Sequence, residues 1–164
     1  SMLGEPRSTV DIDLAIVLRS AAVPAMLAAL APEFYVDEGA MRQAVERRSS
    51  FNAIHQPTVL KVDFFVLGDA PFDRAQLEGR RLSPALEGSG RRVFVSSPED
   101  LILRKLDWYR QGGGVSDRQW RDVLGVLKVQ AERLDLAHLR HWAAALALAE
   151  VLEQALAESG ILSR

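Results

Sequence analysis

Residues 4–18 read GEPRSTVDIDLAIVL, and the placement of two carboxylates in that stretch decides how the chain is read. Asp11 and Asp13 alternate with Val10, Ile12 and Leu14 at the mouth of an apolar run. Alternation of this kind predicts a strand over 10–18. The run is apolar on both faces after Asp13, so the strand is expected to be central in its sheet. Side chains two apart on a strand leave the same face, which places Asp11 and Asp13 side by side with Cα atoms about 6.5–7 Å apart. Two carboxylates so close repel each other, and a divalent cation removes that cost. Asp63 opens a second apolar strand run, KVDFFVL, and a neighbouring strand would bring it to the pair. Oxygen ligands in this arrangement suit Mg²⁺ (or Mn²⁺), which is typically held by one or two carboxylates together with substrate phosphates. Three such carboxylates make a site for two metal ions that clamps the attacking and leaving oxygens of a phosphoryl or nucleotidyl transfer. Asp-x-Asp by itself more often caps a strand end in solvent; Asp63 and the preceding GEPRST move the reading towards a site.

Outward from this stretch, the elements alternate. A helix is expected over 21–31, a short strand over 33–37, a helix over 39–48, and two strands, FNAIHQ and TVLKVDFFVL, separated by a turn at Gln56-Pro57. A short helix over 71–79 and a strand over 91–95 follow. At residue 97 the pattern changes. Ser97, Pro98, Glu99 and Asp100 form a helix start, with an N-cap, a proline in the first turn and two acids at the positive end of the dipole. Helices are expected over 97–111, 116–134, 135–147 and 149–158, the first stopped by the glycines at 112–114. The expected class is α+β, with a small mixed sheet flanked by helices in 1–96 and a helical part in 97–164 packed on it.

Composition narrows the function classes. A net charge of −2 gives no global basic field, which argues against a non-specific nucleic-acid binder. The absence of cysteine excludes disulfides and thiolate-bound zinc, and with no visible signal peptide the expected location is the cytoplasm. No apolar run approaches the roughly 20 residues that span a bilayer, so no membrane partner is expected.

The block GEPRSTVDIDL, joined to SPEDLILRKLDWYR and SDRQWRDVLGVL, resembles the nucleotidyltransferase superfamily, specifically its AbiEii/AbiGii-type toxin-like branch. Those proteins commonly read Gly-x-x-Arg-x-Thr-x-Asp-hydrophobic-Asp, with a third acid on a later strand. The matching positions are Gly4, Arg7, Thr9, Asp11, Asp13 and Asp63. The resemblance implies Mg²⁺-dependent transfer of a nucleoside monophosphate from an NTP to an RNA or protein acceptor, with pyrophosphate released. It further implies Asp11, Asp13 and Asp63 as metal ligands, and Asp63 as a candidate base towards the acceptor hydroxyl. Arg7 and Lys105 are implied as phosphate contacts, and Thr9 as part of the same face. From the residues alone, Arg7 is equally a surface arginine, and Lys105, on a largely apolar helix stripe, either snorkels outward or meets an anion. In this family a strand ending in Gly-Gly or Gly-Ser precedes the Gly-x-x-Arg-x-Thr segment. Here that segment stands at the start of the sequence, so the expectation is a sheet lacking this strand and its glycines. The edge so left open would favour self-association or a partner such as an antitoxin. The alternative is a catalytically weak protein of this fold that acts as a protein-binding module. His138 and His141, three apart on an expected helix, read as surface residues.

Overall fold

The structure, a computed structural model, describes residues 12–82 and 93–161. The described residues build a mixed α+β architecture with seven α-helices, a four-stranded mixed sheet and a two-stranded sheet. The chain divides between residues 73 and 74 into two compact units. That division and the change of composition at residue 97 are different features: the latter marks where helices alone begin.

In the first unit, β1 (Ile12–Ile16) leads through a 3₁₀ turn (Ser20–Ala22) into α1 (Val23–Leu30). Then come β2 (Phe34–Val36), α2 (Glu38–Arg47), β3 (Ser50–His55) and β4 (Leu60–Val66). The sheet order is β1-β4-β3-β2, with β1 parallel to β4 and the other pairs antiparallel. Local chemistry sets the boundaries. Pro24 sits in the first turn of α1, where its missing N–H costs nothing. Asp37 caps α2 by accepting the Ala40 N–H at 2.7 Å. One sheet face is apolar and carries the core. Phe51, Ala53, Val62, Phe64 and Val66 pack there with Val23, Met41, Ala44 and Val45. Phe51 and Phe64 are register partners with ring centroids 5.0 Å apart and planes 7° from parallel. Each is about 5% exposed, and burying such a ring is worth about 1.5–3 kcal/mol.

The second unit takes in most of α3 (Pro71–Glu78), the pair β5 (Arg81–Leu82) and β6 (Phe94–Val95), and four helices. These are α4 (Pro98–Gln111), α5 (Asp117–Gln130), α6 (Leu136–Ala145) and α7 (Ala149–Glu158). Their inward stripes are closed to solvent: Ile102, Leu103 and Leu106 from α4, Val123 and Leu127 from α5, Leu139 from α6, Leu152 from α7. Ser97, Ser116 and Asp135 cap α4, α5 and α6 through their side-chain oxygens. Gly113 and Gly114 both take positive φ (84° and 70°), and the Gly114 N–H turns back onto the Tyr109 carbonyl at 2.8 Å. This left-handed helix end is why glycine stands there. Helix α5 stops at Gln130 instead of running to Leu134, because the chain must turn to present Asp135 as the cap of α6.

Candidate functional site

The face of the first unit's sheet opposite the core carries polar groups beside one buried ring, Phe65. Asp13 on β1 and Asp63 on β4 are direct register partners, and Asn52 on β3 is the partner of Asp63 on its other side. Neighbouring strands lie about 4.8 Å apart, so the two carboxylates stem from adjacent points of one face. Lys61, two residues before Asp63 on the same strand, shares this face and holds Asp63 by an ion pair, Nζ to Oδ1 at 2.9 Å. The row therefore carries two negative charges and one positive charge. Like charges directly opposite across strands are destabilising, and Asp63 is the less exposed partner of the ion pair, at 23%. A partly exposed pair of this kind contributes about 0–1 kcal/mol.

Asp13 and Asp63 supply two carboxylates within the one-or-two-carboxylate set usual for Mg²⁺, and the Asn52 amide stands in the same row. Among the described residues no group of three or more histidines and acids is placed to hold a metal. Asp11, the third expected ligand, lies outside the described residues, as do Arg7 and Thr9. Lys105 lies in the second unit, mid-helix in α4 and half-buried, beside the fully buried Leu106. Sequence reasoning passed over Lys61 and Asn52. Their signal was present as the i, i+2 spacing of Lys61 and Asp63 and the same-face period of Ser50, Asn52 and Ile54.

Two expectations are corrected. β1 is not central: among the described residues it forms the edge of the sheet, bonded only to β4. Its apolar residues alternate as expected, with Ile12, Leu14 and Ile16 on the core side, yet only Ile16 reaches the core. Ile12 and Leu14 are 37% and 39% exposed. The pattern that reads as two buried faces arises because Ala15, on the aspartate face, is small and exposed. The second correction concerns His138, which is partly exposed (side chain 36%) yet engaged with a buried carboxylate. Its Nε2 meets Oδ1 of Asp100 at 2.9 Å, and Asp100 is 2% exposed. His138 thus joins α6 to the first turn of α4.

No protein-family model, no curated protein and no solved structure matches this chain. No helix among the described residues is long and apolar enough to cross a membrane.

Proposed function

We propose that the chain is a metal-dependent nucleotidyltransferase, with the nucleotidyltransferase-like sheet of the first unit as its catalytic platform. The observation that supports this reading is the register match of Asp13 with Asp63 on one sheet face. In the reaction, an acceptor hydroxyl on RNA or protein attacks the α-phosphorus of an NTP. The bond from that phosphorus to the bridging oxygen breaks, pyrophosphate leaves, and the hydroxyl proton passes to a carboxylate. A bound Mg²⁺ would supply charge neutralisation for the phosphates, held by Asp13 and Asp63 with Asp11 as the further ligand. Asp63 is the candidate acceptor for the proton; Arg7, Thr9 and Lys105 are the candidate phosphate-side residues. A biological setting as the toxin of a toxin–antitoxin pair follows from the same resemblance. The test is incorporation from each labelled NTP with Mg²⁺ or Mn²⁺ present, offered RNA and protein acceptors. Wild-type protein labels an acceptor, and Asp13→Asn and Asp63→Asn do not. Equal incorporation by all three overturns the assignment.

A second reading, a protein-binding module of the same fold, is favoured by one observation. Edge strand β1 exposes Ile12 and Leu14, and Val17 just beyond it is 60% exposed. An apolar edge is a template for pairing with another chain. Under this reading wild-type protein incorporates no nucleotide, and Leu14→Lys changes its association state in sedimentation.

A further inference from the structure

A cavity of about 500 Å³ lies wholly within the second unit, among the end of α3, β5, the start of α4 and the α5–α6 link. Its size is that of a pocket for a small organic ligand. The polar groups around it divide into used and unused sets. Three carboxylates line it, and each already has a donor. Asp100 takes the His138 ring, Glu99 takes the Asp135 N–H at 2.8 Å, and Asp135 takes the His138 N–H at 2.9 Å. The starts of α4 and α6 face these acids with the positive ends of their dipoles. The cations are not so matched. Arg81 and Arg133 line the same cavity, and neither guanidinium is hydrogen-bonded or ion-paired to any described residue.

Two hydroxyls add to the donors. Ser96 Oγ accepts from Gln76 Nε2 at 3.2 Å, and Ser97 Oγ accepts from the Asp100 N–H at 3.1 Å. Each oxygen is thereby used as an acceptor, which leaves its hydrogen to donate. An ionised carboxylate only accepts, so the hydrogen between His138 Nε2 and Asp100 belongs to the ring, which that bond orients. The cavity therefore offers two guanidinium forks and two hydroxyl donors, with the oriented His138 ring and the remaining carboxylate lone pairs alongside. Guanidinium forks match the oxygens of a phosphate, which has three to share among such donors. The acceptors ask for hydroxyl or amino hydrogens on the rest of the ligand.

We infer that this cavity is a binding site for a small phosphate ester carrying hydroxyl or amino groups, separate from the acidic face of the first unit. The phosphate lies at Arg81 and Arg133, and the hydrogen-donating end faces the carboxylates around His138. The inference does not depend on nucleotidyl transfer.

The test uses the full chain in metal-free buffer with EDTA, and ribose 5-phosphate as the probe. Binding is read from the His138 ring signals in histidine-labelled NMR spectra and by calorimetry. Millimolar ribose 5-phosphate shifts the His138 signals and binds more tightly than inorganic phosphate or ribose alone. The exposed sites allow Arg81→Ala and Arg133→Ala without loss of the fold, and each weakens binding about ten- to hundredfold, as expected for loss of a charge-assisted contact. Asp63→Asn leaves the affinity unchanged. The inference is overturned if His138 does not respond, if both arginine variants bind like wild type, or if Asp63→Asn abolishes binding. Equal affinity for inorganic phosphate and ribose 5-phosphate overturns the assigned ligand class.

Discussion

The carboxylates of the two units behave in opposite ways. In the second unit Asp100, Glu99 and Asp135 are each answered by a donor, and they tie α4 to α6. In the first unit Asp13 and Asp63 are register neighbours, like charge beside like charge, with Lys61 on one of them. A carboxylate matched by donors is explained by the fold it helps to hold. Asp13 and Asp63 differ in standing side by side on one sheet face, and that like-charge juxtaposition is what marks them as candidate chemistry.

The largest effects test whether the two units keep separate cores. Phe64→Ala removes half of the stacked pair under the first sheet and costs about 3–5 kcal/mol; Leu106→Ala opens the helical core at a cost of about 2–5 kcal/mol. Hydrogen exchange read per residue shows the first variant losing protection in β3 and β4, and the second losing it in α4 and α5. Uniform loss across the chain in both variants would break the comparison. Next in size is the contrast between carboxylates. Asp100→Ala strips His138 of its buried partner and costs about 1–3 kcal/mol in chemical denaturation. Asp13→Asn relieves like-charge repulsion and leaves stability unchanged or slightly raised, within about 0.5 kcal/mol. A loss from Asp13→Asn as large as that from Asp100→Ala would make both aspartates structural.

Much of this was legible in the sequence, and the gaps have physical causes. Caps and breakers declare helices locally, so Ser97-Pro98 and the glycines at 112–114 set the limits of α4 within a residue or so. The facing of Asp13 and Asp63 was legible too, since both open apolar strand runs. The place of β1 at the sheet edge was not, because alternation reports which side chains share a face and says nothing of how many strands flank it. His138 was missed for a similar reason. Its partner Asp100 is 38 residues away, and helical spacing within α6 offers only His141 as a companion.

Two smaller effects sharpen the picture of each unit at its surface. Val59 closes the β3–β4 loop with φ 56°, a left-handed conformation that a β-branched side chain resists, and it is 76% exposed. Val59→Gly therefore raises the stability of the first unit by about 1 kcal/mol, read from the thermal midpoint. In the second unit, Glu158 accepts from Trp120 Nε1 at 2.6 Å, and that bond, with a second from Gln154, lowers its pKa from the ordinary 4.5. A lowered folded-state value means that the stabilisation is present above about pH 4.5 and is lost as pH falls through the folded-state pKa. Trp120→Phe shrinks that acid-limb loss, the smallest effect expected here, and an unchanged acid limb would remove the bond from the account.

The most direct measurement is a Mn²⁺ titration followed by electron paramagnetic resonance on wild type, Asp13→Asn, Asp63→Asn and Asp100→Asn. The account predicts that wild type binds the ion, that the first two substitutions each weaken binding by about tenfold or more, and that Asp100→Asn leaves it unchanged. Equal affinity in all four proteins, or a loss confined to Asp100→Asn, would contradict it.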